Sequence, residues 1–183
     1  MKRQLHIIVL CEGRRDWSFI RNYLKQRGYD TTRNTRVIFP SDSHEGAGDK
    51  YITDNFMPNI RYIRAYSAKN ASESRWLLVH TDADTNTVDY RYSMLNNQLP
   101  QNEQLCDRDP VCLIIPKRHT ETWVYYLLNP DESVTENDIY KTKITDEEVK
   151  EAGKQLGLSD PTIKDNCPSS LIRSYNELKR LPG

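Results

Sequence analysis

The chain has 183 residues, a net charge of zero (26 Lys and Arg against 26 Asp and Glu) and a mean hydropathy of −0.80. This length predicts one domain with a small appendage. No run approaches the roughly 18 apolar residues of a membrane span. The four cysteines lack CxxC spacing, which argues against a zinc site or a disulfide framework and favours a reducing, cytoplasmic location. Residues 1–36 hold nine Lys and Arg against three acids. This basic segment could bind the phosphate backbone of a nucleic acid, or it could be an ordinary solvent-exposed helix face.

Strands and helices are predicted to alternate along the first two thirds of the chain. Four apolar runs predict strands at residues 5–10, 36–39, 76–80 and 111–115. Apolar residues at helical spacing predict helices around residues 17–27, 52–63, 88–99 and from 120 onward. Pro58 predicts a kink in the second helix or its division into two shorter helices. We therefore expect an α/β fold with four parallel strands and helices on both faces of the sheet.

Two further helices are predicted in the last third of the chain. Thr145 and Glu148 have the spacing of a capping box, in which each side chain bonds the other residue's backbone N–H. A serine at position 169 or 170 is the expected cap of the final helix. The chain is accordingly divided into a domain of residues 1–128 and a helical extension of residues 129–183 packed on it.

Acidic residues follow the predicted strands. Glu12 comes directly after the first strand, Asp16 lies four residues later, and Asp82 and Asp84 follow the third. Ligands of open parallel sheets bind beyond the carboxyl ends of the strands, so we expect these acids to meet at one edge. A divalent cation relieves their mutual repulsion, and oxygen ligands of this kind suit Mg²⁺ or Mn²⁺. The alternative, that the acids stabilise helix N-termini, fits Asp16 and Glu121 better than the Asp82/Asp84 pair.

These motifs resemble those of Toprim domains. An apolar strand ending in Glu12-Gly13, with an acid at Asp16, is similar to the first Toprim motif, and a strand ending in Asp82-Ala83-Asp84 is similar to the second. The resemblance covers roughly residues 4–128, and the stretch 116–123 looks like small stand-alone Toprim-like proteins that are often paired with an ATPase. Toprim domains occur in topoisomerases, primases, ribosomal-RNA maturation nucleases and the OLD-family nucleases. Neither a tyrosine-bearing cleavage domain nor a zinc module is found here, which argues against the first two.

The resemblance implies a Mg²⁺- or Mn²⁺-dependent nuclease that hydrolyses phosphodiester bonds of DNA or RNA. By family analogy it acts in a defence or mobile-element system with a partner ATPase. The implied general base or metal ligand is Glu12, and the other implied metal ligands are Asp16, Asp82 and Asp84. The implied cation that stabilises developing phosphate charge is Lys117 or Arg118. The implied substrate-binding residues are Gly13, Arg14, Arg15, Gly46 and Gly48.

Two other functions stay open at the level of sequence. A degenerate Toprim domain would bind a nucleotide or a partner protein without catalysis. The run Asp82-Ala83-Asp84-Thr85 also matches the nucleophile motif of haloacid-dehalogenase phosphatases, in which the first Asp attacks phosphate. That family begins with this motif at its first strand, whereas two strand–helix units precede it here.

Overall fold

A computed structural model describes residues 4–38, 48–69, 73–140, 143–161 and 164–182. In chain order its elements are β1 (Gln4–Cys11), α1 (Arg14–Gln26), β2 (Thr35–Ile38), α2 (Asp49–Lys69), β3 (Glu73–His80), α3 (Val88–Asn96), β4 (Val111–Ile114), α4 (Thr120–Leu128), α5 (Asp146–Leu158) and α6 (Ser169–Leu178). The predicted α/β alternation is confirmed. Over these ranges, every helix is too short or too polar to cross a membrane.

The sheet is parallel throughout and has the strand order β2-β1-β3-β4. The chain runs outward from β1 to β2, then returns past β1 to β3 and continues to β4. Right-handed crossovers that run in opposite directions lie on opposite faces of a sheet. Accordingly, α1 covers one face, while α2 and α3 cover the other. The change of direction falls between β1 and β3, which leaves a crevice beyond the carboxyl ends of these two strands.

Alternate residues of each strand contribute to two apolar clusters. In β1, Ile7 and Val9 pack with α1, whereas Ile8 and Leu10 pack with α2. Because both faces are covered by helices, the strands are continuous apolar runs rather than alternating ones. Because the helices bury both faces of the sheet, polar side chains lie mainly at the ends of the strands.

The C-terminal helices pack on the α1 face. A Cβ atom on Gly153 would lie 2.4 Å from the backbone oxygen of Phe19, so the glycine lets α5 approach α1 closely. Arg15 of α1 then bridges two elements, with its guanidinium 3.2 Å from Glu121 of α4 and 2.9 Å from Asp146 at the start of α5. The predicted capping box at Thr145 is present. These contacts join the extension to the same apolar cluster as α1.

Of the two outcomes predicted at Pro58, the division into two helices is wrong, because α2 is a single helix from Asp49 to Lys69, and a kink stays a prediction. Proline removes one backbone donor and normally disfavours a helix interior. Burial of apolar residues on both sides of the proline offsets this loss, at Ile52, Phe56, Ile60 and Ile63.

The predicted serine cap of α6 is also wrong. The carboxylate of Glu136 accepts hydrogen bonds from the backbone N–H groups of Ser169 (3.2 Å) and Ser170 (3.1 Å). An acid from a distant loop therefore satisfies the free donors at this helix N-terminus.

Candidate metal centre at the carboxyl end of the sheet

Glu12 and Asp82 are directly hydrogen bonded. Strands β1 and β3 are parallel neighbours in which Cys11 pairs with His80, so Glu12 and Thr81 leave the sheet at the same level. Oε1 of Glu12 accepts hydrogen bonds from Oγ1 of Thr81 (2.5 Å) and from the backbone N–H of Asp82 (3.0 Å). The structure thus brings the two sequence motifs together in the crevice between β1 and β3.

Gly48, a predicted substrate-binding residue, lies against the carboxylate of Glu12. Its φ is +60°, and a Cβ atom there would lie 2.9 Å from Oε2 of Glu12. Glycine is required on both counts, since it accepts positive φ and leaves room for the close approach. Gly13 precedes α1 at the same edge, whereas Gly46 falls outside the described residues.

Arg91 of α3 is a buried counter-charge that sequence reasoning missed. The side chain is 4% exposed, donates to Oγ1 of Thr81 through Nε (3.2 Å) and to Asp49, and lies 3.7 Å from Oε1 of Glu12. The sequence signal for its burial was its place on the apolar stripe of α3, four residues before Leu95. Burial nevertheless raises the pKa of Glu12, as does the charge of Asp16, against the lowering effects of Thr81 and Arg91.

Three side chains form a cluster with the spacing of a cation site. Ligand atoms of Asp82, Asp84 and His119 all lie within 4.8 Å of one another, and Nδ1 of His119 is 3.4 Å from Oδ2 of Asp82. Ligands of one Mg²⁺ lie about 3–4 Å apart, so small side-chain rotations would close the cluster on an ion. Asp84 reaches it from a turn with a φ of +53°, a strained conformation that recurs at functional sites. Sequence reasoning did not select His119, although it directly precedes α4 at the expected edge.

Asp82 is a partly buried carboxylate whose negative charge the described residues compensate poorly. Its Oδ1 atom is buried and has no hydrogen-bond partner. Burial raises the pKa of Asp82 well above its usual range, and the nearby charges of Asp16, Glu12 and Asp84 raise it further. A proton or a divalent cation would remove this penalty. The carboxylates fit Mg²⁺ or Mn²⁺, and the imidazole favours Mn²⁺ of the two.

Asp16 lies beside this cluster rather than within it. Its Oδ1 atom accepts a hydrogen bond from Thr120 (2.9 Å) and is 3.7 Å from Nδ1 of His80. His80 is fully buried between the rings of Phe19 and Trp123. Burial lowers the pKa of His80 to about 4, which makes it a neutral core residue. Its Nδ1 atom forms no hydrogen bond with a described residue, so Thr120 rather than His80 orients Asp16.

The predicted cationic residues differ in their surroundings. Lys117 donates to the backbone oxygen of Asn86 (2.7 Å), in the loop that also carries Asp84. The Nε atom of Arg118 is buried without a hydrogen-bond partner. Arg14 is exposed on the first turn of α1, whereas Arg15 is held in its two ion pairs between helices. Lys117 is thus the cation that the structure ties most closely to the aspartate loop.

Neither protein-family models, nor curated proteins, nor solved structures match this chain significantly. Evidence on the function of the chain therefore comes from the chemistry and geometry of its own residues.

Proposed function

We propose that this chain is a Mg²⁺- or Mn²⁺-dependent nuclease of the Toprim type that hydrolyses phosphodiester bonds. The observation that carries the proposal is the 3.0 Å hydrogen bond from the backbone of Asp82 to the carboxylate of Glu12. This bond joins the two acidic motifs at the edge of the sheet where open α/β folds bind ligands. A glutamate beside a cluster of cation ligands is the arrangement expected for metal-assisted hydrolysis.

Asp82, Asp84 and His119 would hold the cation. When bound, such a cation lowers the pKa of a coordinated water and stabilises charge on phosphate oxygens. The unpartnered Oδ1 atom of Asp82 supports this assignment, because the described residues offer it no donor. Asp16 stays the candidate for a second cation position.

Glu12 has the surroundings of a general base. Thr81 and the backbone of Asp82 fix Oε1, whereas Oε2 accepts no hydrogen bond from any described residue. The raised pKa of Glu12 makes this carboxylate a better proton acceptor than an ordinary glutamate. In the proposal, Oε2 receives the proton of the attacking water, and Arg91 behind the carboxylate keeps it ionised beforehand.

Lys117 is proposed to stabilise negative charge on the phosphate in the transition state. Its ammonium group lies at the same loop as Asp84, and a cation so placed acts on charge that develops during phosphoryl transfer. The substrate is nucleic acid, DNA or RNA, and a partner ATPase would present it in a defence or mobile-element system. The four free thiols suit the reducing cytosol that the proposal assigns.

The test is cleavage of a panel of single- and double-stranded DNA and RNA with Mg²⁺, Mn²⁺ or EDTA. The wild type, Glu12→Gln, Asp82→Asn and the control Asp54→Asn are compared, since Asp54 is an exposed acid on α2. We expect cation-dependent cleavage that both site variants lose and the control keeps. Equal cleavage by the wild type and Asp82→Asn would contradict the assignment. Cation binding without cleavage of any substrate would favour the non-catalytic alternative.

A further inference from the structure

A recess opens on the α2 face of the sheet, beside the edge strand β2. The residues that carry its chemistry are His6, Arg33, Arg36, Tyr62 and Arg75. Strand register explains why they meet. Arg75 pairs with His6 and Arg36 pairs with Ile8, and paired residues of parallel strands face the same side of a sheet.

The recess carries an excess of positive charge. Arg33 and Arg36 are exposed and form no ion pair over the ranges that the structure describes. The Nε atom of Arg75 is buried and has no hydrogen-bond partner. Two acids act on these side chains. Glu73 lies 3.8 Å from Arg75 and 3.7 Å from His6, and Asp30 interacts with the charge of Arg33. Among the described residues three guanidinium groups therefore face two carboxylates, which leaves the recess with a net positive charge suited to anions.

An aromatic surface borders these arginines. The guanidinium of Arg75 lies 3.3 Å from the ring centroid of Tyr66 and donates to the hydroxyl of Tyr62. The side chain of Tyr62 is 43% exposed. Basic side chains that bind phosphates, next to exposed rings on which bases stack, are typical of surfaces that bind single-stranded nucleic acid.

The recess is close to the acidic edge of the same sheet. Arg36 lies opposite Ile8 and Arg75 lies opposite His6, four and six residues before Glu12. At about 3.3 Å per residue, these separations are roughly 13 and 20 Å along the strand direction. One nucleic-acid strand can therefore contact both places.

We propose that this recess binds the phosphate backbone of a nucleic-acid strand, with Arg33, Arg36 and Arg75 at phosphates and Tyr62 against a base. That the bound strand is the one cleaved rests on the proposed function. The binding itself needs only the charges and rings of the recess.

The test is fluorescence anisotropy with labelled single-stranded DNA and RNA of about 20 nucleotides, in EDTA so that cleavage cannot occur. The wild type is compared with the double variant Arg33→Ala, Arg36→Ala. The matched control is Lys25→Ala, Arg27→Ala, which removes the same charge from exposed positions at the end of α1. Circular dichroism confirms that each variant is folded.

We expect the recess variant to lose at least about ten-fold in affinity at low salt. The slope of log affinity against log salt, measured from about 50 to 200 mM, should fall by about 0.7 for each phosphate contact removed. The control should bind like the wild type. No binding by the wild type, no loss in the recess variant, or an equal loss in the control would each overturn the proposal.

Tyr62→Leu tests the aromatic part separately. Loss of a stacked base should weaken binding by about five-fold or more without changing the salt slope. Unchanged affinity would overturn the stacking assignment.

Asp82→Asn separates the recess from the cleavage site. We expect this variant to bind the oligonucleotides like the wild type and to lose cleavage. If the recess variant binds weakly but the wild type cleaves nothing, nucleic-acid binding by the recess is supported and the proposed nuclease function is contradicted. If the wild type cleaves and the recess variant binds and cleaves equally well, the recess proposal fails and the nuclease stands.

Discussion

Two aspartates at opposite ends of the sheet have opposite surroundings. Asp109 precedes β4 at the amino end, where the guanidinium of Arg64 donates two hydrogen bonds of 2.8 Å and the backbone of Cys106 donates one of 2.9 Å. Burial alone would raise the pKa of Asp109, but these donors outweigh it and hold the pKa below the usual range. The fold itself thus compensates the charge of this carboxylate.

Asp82, at the carboxyl end, receives no such compensation. His119 lies 3.4 Å from its Oδ2 atom, whereas Oδ1 has no donor among the described residues. Burial and the charges of Asp16, Glu12 and Asp84 raise its pKa. Under the proposed function, this difference separates a structural carboxylate from a cation ligand. Arg64 neutralises Asp109 within the fold, whereas the proposed cation would neutralise Asp82.

The largest expected effect is on catalysis at Glu12. Glu12→Gln keeps the Oε1 acceptor for Thr81 and Asp82 but removes the proton acceptor. We expect cleavage to fall by about 10²- to 10⁴-fold with little change in Mn²⁺ affinity. Initial rates with saturating Mn²⁺ measure the loss, and Glu147→Gln, at an exposed acid of α5, is the control. Rates equal to the wild type would remove Glu12 from the mechanism.

The same substitution at the two aspartates should change stability in opposite directions. In EDTA near neutral pH, Asp109→Asn should lower the free energy of unfolding by about 2 kcal/mol, because it breaks charged hydrogen bonds to Arg64. Asp82→Asn should raise it by about 1 kcal/mol, because it removes a carboxylate whose ionised form is disfavoured by burial and by neighbouring acids. Urea unfolding followed by tryptophan fluorescence measures both changes. Changes of the same sign in the two variants would contradict the proposed difference between Asp82 and Asp109.

A smaller effect is expected in the pH dependence of stability. The pKa of Asp109 is lower in the folded than in the unfolded chain, so its contribution is present above the unfolded value and is lost as pH falls through the folded one. Asp109→Asn should therefore flatten the loss of stability below about pH 4, whereas Asp82→Asn should keep that loss. Urea midpoints across the acid range measure it. If the loss of stability at low pH is the same in Asp109→Asn as in the wild type, the ion pair between Arg64 and Asp109 contributes little to stability.

The strand-end rule predicted the acidic part of the site. An acid within two residues of the end of an apolar strand has little freedom in where it points, which is why Glu12 and Asp82 were placed correctly at one edge. Asp84 reaches the cluster from a turn with positive φ. No periodicity distinguishes this turn in the sequence.

Other features depend on tertiary structure and could not be predicted. Lys117, Arg118 and His119 are consecutive, and only the path of the chain after β4 decides that the histidine faces the aspartates. Arg91 has a side chain that is rarely buried, so its apolar position on α3 did not reveal it. The cap of α6 comes from Glu136, more than 30 residues earlier in the chain, a separation that local patterns do not span.

Titration calorimetry of Mn²⁺ into the wild type, Asp82→Asn and Asp109→Asn shows whether Asp82 is a cation ligand. We expect saturable binding by the wild type, the same binding by Asp109→Asn, and loss of binding by Asp82→Asn. Indistinguishable isotherms for the wild type and Asp82→Asn would contradict the proposed metal site, because Asp82 would then not be a cation ligand.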